Sequence, residues 1–198
     1  MVVFIKKVKN YLWFLYNLIR MSLYGVKYGR KVVVHGHLGF KINGKLQIGS
    51  YCYISSGKDL NPLCAKDEGF IRVEKDAKLI IGDECAMSSP RIWAFHEILI
   101  GDHVMMGGNV TIVDSDCHSL NYRDRRYKEK DREKTINLTV CIENDVFVGM
   151  NTIILKGVTI GARSIIGAGS VVTSNIPSDC IAAGNPAKVI KQISKLVK

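Results

Sequence analysis

The spacing of the aliphatic residues constrains this chain more than any other feature. From Ile142 it divides into IENDVF, VGMNTI, ILKGVT, IGARSI, IGAGSV and VTSNIP, each led by an aliphatic residue, at 142, 148, 154, 160, 166 and 172. The same frame fits IGDHVM, MGGNVT and IVDSDC from Ile100, Met106 and Ile112, and more weakly IGSYCY from Ile48 and IGDECA from Ile81. A period of six is neither the 3.6 of an amphipathic helix nor the alternation of a two-faced sheet. It marks a parallel β-helix in which each hexad supplies one short strand and one corner, and three hexads close a triangular turn. The leading aliphatic points inward, the fifth residue is small because it fills the narrow inner edge, and glycine or asparagine serves the tight corner. Cys52 and Cys85 occupy fifth positions and read as buried fillers.

The 198 residues suffice for one domain that buries its core without disulfides or metals. The cysteines are scattered, with no CxxC pair, and read as the reduced thiols of a cytoplasmic protein. Net charge is +10, and every charged residue before Asp59 is basic. Such a bias suits nucleic acid, an anionic membrane surface or a phosphorylated ligand. Nucleic acid is disfavoured because the early aromatics cluster in one apolar segment instead of alternating with bases along a strand surface. That segment, residues 4–24, has an uncharged run from Asn10 to Ile19, shorter than the ~20 residues a bilayer span needs. It lacks the small-residue cleavage site of a signal peptide. Two readings stand: an interfacial helix associated peripherally with a membrane, or a helix packed on the column as a cap or on a sister subunit. The expected division is a basic, aromatic helical segment over 1–30, a β-helix over 31–192 and a basic tail over 193–198.

The frame fails in three places. The stretch 56–70 interrupts it, and Ile81 to Ile100 spans nineteen positions, not eighteen. The largest failure begins at Asp116, which falls on an inward fifth position, with His118 on the next leading one. Neither belongs inside an aliphatic prism. The chain must therefore leave the coil at about Asp114 and rejoin near Val140, making a protruding loop at about 114–140 longer than the ~15 residues ordinary connections use. His118, flanked by Asp114 and Asp116, is a candidate general base oriented by a carboxylate. Cys117 is a poor nucleophile for it, since neighbours on an extended chain point in opposite directions.

The stretch DSDCHSLNYRDRR, followed by IGAGSVVT and the closing AAGNPAKVI, resembles the hexapeptide-repeat acyltransferases, and among them the sugar and polysaccharide O-acetyltransferases similar to galactoside and maltose acetyltransferases. The match runs from about 79 to 192. It implies an all-β fold, a left-handed parallel β-helix with a short N-terminal helix and a C-terminal cap. It also implies a homotrimer with acetyl-CoA lying in the groove between columns, and no metal. His118 matches the catalytic histidine, with Asp116 or Asp114 holding its tautomer. Gly149, Met150, Ala168, Thr173, Ser174, Lys188 and Lys191 match the cofactor positions, and Met87, Ser88, Arg91 and Trp93 fall on the acceptor-binding coil. The chain departs from the family in Phe147, where tryptophan is common, and in Met150, where a small polar residue is common. The implied reaction is acetyl transfer from acetyl-CoA to a sugar hydroxyl in bacterial surface polysaccharide assembly, in the cytoplasm, with possible attachment to the inner membrane face through residues 4–24. An N-acetyltransferase acting on an amino sugar is the alternative. A non-catalytic scaffold that binds membrane is the non-enzymatic one. A serine acetyltransferase would carry a longer helical domain ahead of the column. A γ-type carbonic anhydrase would need three zinc-binding histidines, a pattern that His35, His37, His96, His103 and His118 do not make.

Overall fold

The computed structural model describes residues 2–57, 59–64 and 68–193, with side chains from Val8 onward. Three parallel sheets form the faces of a prism, and successive strands visit them in rotation. The first face holds Lys27–Tyr28, Lys45–Ile48, Lys78–Ile81, Glu97–Ile100, Val140–Ile142 and Thr159–Ile160. The second holds Val33–His35, Tyr53–Ser55, Ala86–Ser88, Met105–Gly108, Phe147–Val148, Ile165–Ile166 and a closing hairpin, Cys180–Gly184 with Ala187–Gln192. The third holds Gly39–Ile42, Phe70–Val73, Arg91–Ala94, Thr111–Val113, Ile153–Ile154 and Val171–Val172. Among the described strands, the hairpin is the antiparallel pair.

Strand register stacks like on like through the interior. Ile48, Ile81, Ile100, Ile142 and Ile160 form one ladder. Val34, Ile54, Met87, Met106, Val148, Ile166 and Ala182 form the second. Phe40, Ile71, Ile92, Ile112, Ile154 and Val172 form the third. All are buried, and at roughly 1.5–3 kcal/mol per buried aliphatic side chain these ladders are the main stabilising element. Cys52 and Cys85 lie inside as fillers.

Two details differ from the sequence reading. Glycine or asparagine does serve the left-handed corner between the second and third faces, at Gly36, Asn109, Asn151 and Gly169, whereas the corner between the first and second faces is served by Lys31, Tyr51, Glu84, His103, Asp145, Arg163 and Asp179. The glycine that follows the leading aliphatic has another cause, close approach of coils: a Cβ on Gly82 would lie 2.6 Å from the carbonyl carbon of Gly101. The nineteen-residue coil arises because Met87 to Ile92 takes five positions and Ile92 to Ile100 takes eight, so the corner after the third face widens.

The amino-terminal helix, Val2–Leu23, covers the first coil. Its end precedes the strand Lys27–Tyr28, so the column begins at 27 and not at 31. In an edge strand every second carbonyl turns away from the next coil and needs a donor. His35 O accepts from Ser56 N–H in the coil above. On the other side, Asn17 Nδ2 donates to Val34 O and Gly36 O at 3.3 and 2.7 Å, and Arg20 donates to Leu38 O and Phe40 O at 3.0 and 3.2 Å. Asn17 and Met21 are fully buried. The helix is thus a cap. At the far end the hairpin closes the column, and Ile193 N–H still bonds to Asp179 O; the rest of the expected tail, 194–198, lies outside the described residues.

Because Asn17 Oδ1 has no partner, the cap acts through the amide donors alone. Asn17→Ala should lower the unfolding free energy by about 2 kcal/mol by orphaning two edge carbonyls, read as a lower urea midpoint. An unchanged midpoint would mean that the helix does not cap the edge.

Candidate active site

The chain leaves the coil after Val113 because Asp114 pins it there. The Asp114 carboxylate is buried, and it accepts hydrogen bonds from Phe95 N–H (2.7 Å) and His96 N–H (2.8 Å) at the widened corner of the coil below. Two donors offset the cost of burying its charge. The feet of the loop are then clamped antiparallel: Leu138 N–H bonds to Asp114 O, and Asp116 N–H to Ile136 O. Asp116 itself forms an ion pair with Lys156 at 2.8 Å.

Ser115 Oγ accepts Cys117 N–H at 2.8 Å, and Cys117 adopts φ +60°, a left-handed conformation unusual for a side-chain-bearing residue. The turn lifts His118 outward. A short helix in the loop, Lys128–Glu133, brings Asp131 back to meet it. His118 Nδ1 lies 2.7 Å from Asp131 Oδ2, and Ser119 N–H donates to Oδ1 at 2.7 Å. Arg125 ties the intervening turn by donating to Ser119 O and Leu120 O. The bond with His118, aided by the Ser119 amide, holds the Asp131 carboxyl below its ordinary range. A carboxylate can only accept, so the imidazole donates from Nδ1 and presents the lone pair of Nε2 outward. Burial pushes the adjacent Cys117 thiol up, which suppresses the thiolate a nucleophile would need.

His118 opens onto a cavity of about 620 Å³ floored by the third face. Trp93 and Phe95 lie 4.7 Å apart at 30°. The Arg72 guanidinium sits 4.5 Å over the Trp93 ring, and Trp93 Nε1–H donates to Glu74 at 2.9 Å. Arg72 Nε forms an ion pair with Glu74 at 2.5 Å. Burial raises the Glu74 carboxyl, yet the indole and Arg72 outweigh it and hold it below its ordinary value. Arg132, Thr135 and Asn137 complete the wall.

Neither of the carboxylates expected beside His118 bonds to it: Asp114 is a coil pin and Asp116 pairs with Lys156. Asp131, thirteen residues downstream, is the orienting group. Of the expected acceptor residues, Trp93 lines the cavity. Met87 belongs to the inner ladder of the second face and is buried, so its side chain packs the core and does not reach the cavity. Ser88 accepts from Asn61 at 2.8 Å and supports the loop after residue 56. Arg91 stands on the third face two residues from Trp93, exposed but outside the cavity wall.

The expected cofactor residues fall on different edges. Gly149, Met150 and Ala168 stack on the edge between the second and third faces, where a Cβ on Gly149 would lie 2.5 Å from Ala168 N. Thr173 and Ser174 are exposed on the edge after the third face, the same edge from which the His118 loop departs. Lys188 and Lys191 are exposed on the last strand. A single column therefore does not gather all seven at one place.

The family pattern described as bacterial transferase hexapeptide (six repeats) matches residues 142–174. A relative from Schizosaccharomyces pombe is 37% identical over 139 residues, 70% of this chain and 61% of that one. A galactoside O-acetyltransferase of Lactococcus lactis is 42% identical over 98 residues, 50% of this chain and 44% of that one. A 2,3,4,5-tetrahydropyridine-2,6-dicarboxylate N-acetyltransferase of Staphylococcus aureus is 49% identical over 57 residues, 29% and 24%. The chain thus spans less than two thirds of the length of these relatives. Among solved structures, a hexapeptide-repeat acetyltransferase of Vibrio cholerae in complex with acetyl coenzyme A superposes with a TM-score of 0.53 at 26% identity, covering 89% of this chain and 78% of that one. Six-residue repeats, three rotating parallel faces and this structural likeness agree: the chain is a left-handed parallel β-helix that carries the bacterial transferase hexapeptide pattern over 142–174 and is similar to the hexapeptide-repeat acetyltransferases.

Proposed function

We propose that the protein transfers an acetyl group from acetyl-CoA to a sugar hydroxyl, in the cytoplasm, during assembly of a bacterial surface polysaccharide. The observation that carries this reading is the His118–Asp131 bond, which fixes Nδ1–H inward and leaves Nε2 free above an aromatic-floored cavity. An alcohol is a weak nucleophile near neutral pH. Nε2 takes its proton as the oxygen attacks the thioester carbonyl; the tetrahedral intermediate then collapses, expelling the CoA thiolate, which recovers the proton from the imidazolium. Asp131, ionised throughout, stabilises that imidazolium without taking the proton. Trp93 offers an apolar wall to a pyranose.

A homotrimer fits the same observations. Along the second face the outward residues Tyr53, Ala86, Met105, Phe147, Ile165 and Ile181 stack in register, and Met105 and Phe147 are 55% and 45% exposed. Such an apolar strip suits contact with a second column. Cofactor residues split between two edges would meet across a groove between neighbours, with Met150 and Ala168 from one and the His118 loop with Thr173 and Ser174 from the other. The N-acetyltransferase relative supports an amine acceptor as the second reading.

Acetyl-CoA at about 100 times its dissociation constant should stabilise the protein by about 2.7 kcal/mol, visible as a raised thermal midpoint. His118→Ala should keep that shift while CoA release falls at least about 100-fold; no shift in either protein would remove the cofactor from the reading. Comparing CoA release with hydroxyl-only and amine-bearing sugars separates the two acceptor classes.

Asp131→Asn should cost about 100-fold in kcat with little change in KM. Because His118 and Ser119 hold the Asp131 carboxyl below its ordinary range, it stays ionised between about pH 6 and 8. The loss should therefore be full at pH 8, where the carboxylate is charged; a variant with wild-type kcat at that pH would sink the role assigned to Asp131.

A further inference from the structure

We propose that the first-coil end of the column is a docking surface for an anionic lipid bilayer. The amino-terminal helix is fixed in rotation, because Asn17 and Arg20 bind edge carbonyls and Met21 is buried beneath it. That pinning turns one stripe outward: Val8, Leu12, Leu15, Ile19 and Leu23, at i, i+4, i+7, i+11 and i+15, are 42%, 59%, 38%, 61% and 81% exposed. These positions share one helix face, and nothing in the described chain covers them. An exposed apolar strip of this length is unusual on a protein that meets only water.

The chemistry around the stripe selects its occupant. Tyr11, Tyr24 and Tyr28 are exposed on the same helix and on the coil it covers, at 60%, 40% and 43%. Tyrosine, apolar in body with a polar tip, suits the headgroup boundary. Lys27, Arg30 and Lys31 are exposed on that first coil, and no acidic residue occurs before Asp59. Lys9 and Arg20 are already engaged, by Asp59 and by the edge carbonyls. The end is therefore positive around an apolar centre, the pattern of a helix lying in an anionic interface. A second copy would present the same excess of positive charge and repel. No described helix is long and apolar enough to cross a membrane, so the contact is peripheral. It stands independently of the acetyl-transfer reading.

The test is co-sedimentation of the full chain with vesicles of phosphatidylcholine alone or mixed with phosphatidylglycerol. Binding should require phosphatidylglycerol and weaken as salt is raised. Leu12→Glu with Ile19→Glu should reduce affinity at least about tenfold, and Lys27→Glu with Lys31→Glu, which leaves the apolar stripe intact, should do so comparably. Unfolding midpoints certify that each variant folds; if the stripe variant does not, the charge variant decides. Failure to bind phosphatidylglycerol vesicles, or binding that both folded variants retain, overturns the proposal. So does light scattering in which the stripe variant loses mass while vesicle binding persists, since that would make the stripe a contact between copies.

Discussion

Parallel backbone pairing between stacked coils is the constraint on which the rest of this molecule depends. Strands about 4.8 Å apart leave room inside for one aliphatic residue per strand and leave the edges almost nothing. The three ladders follow from the first limit, and the glycines that face a neighbouring coil's backbone follow from the second. Where a corner cannot pair through backbone alone, side chains take over. Ser50 N–H is bound by Asp83, Asp83 N–H by Asp102, and Asp102 N–H by Asn144, each coil supplying an acceptor to the one before. The same logic forces caps at both ends, the helix at one and the hairpin at the other.

A scaffold this regular has little room for reactive groups, so chemistry collects where the regularity is interrupted. The departure at Asp114 costs a buried carboxylate, offset by two amide donors, and yields an excursion able to fold back on itself. Within it, Asp131 and His118 meet, near a face whose outward residues, Arg72, Trp93 and Phe95, do not serve the interior. The left-handed Cys117 is the local strain that aims the imidazole.

Much of this was legible in the sequence, for a definite reason: period six is a backbone property written in every coil, so the inward ladders, the fifth-position cysteines and the exit point at Asp114 could be read directly. His118 stood out because it broke that period. Asp131 could not be found this way. It sits among charges of both signs in YKEKDREK, where no period operates, and only the fold of the loop selects it from its neighbours. Met87 is instructive in the opposite sense: the frame from Ile81 already puts position 87 inward, as the structure has it, whereas the resemblance assigned it to the acceptor. Local periodicity proved the better guide there. The widened corner that makes the nineteen-residue coil was visible as a slip but not as a purpose; it supplies the Phe95 and His96 amides that hold Asp114.

Those two amides, with the clamp from Asp114 to Leu138, separate the loop mechanically from the prism. One foot is tied to the coil beneath by its buried carboxylate and the two feet are tied to each other by main-chain bonds, whereas the dyad, the Arg125 tie and the short helix lie wholly between them. The excursion behaves as a cassette with fixed mounting points. Its interior can be rewritten through evolution, altering what is recognised beside His118, while the coils that carry it keep their register unchanged.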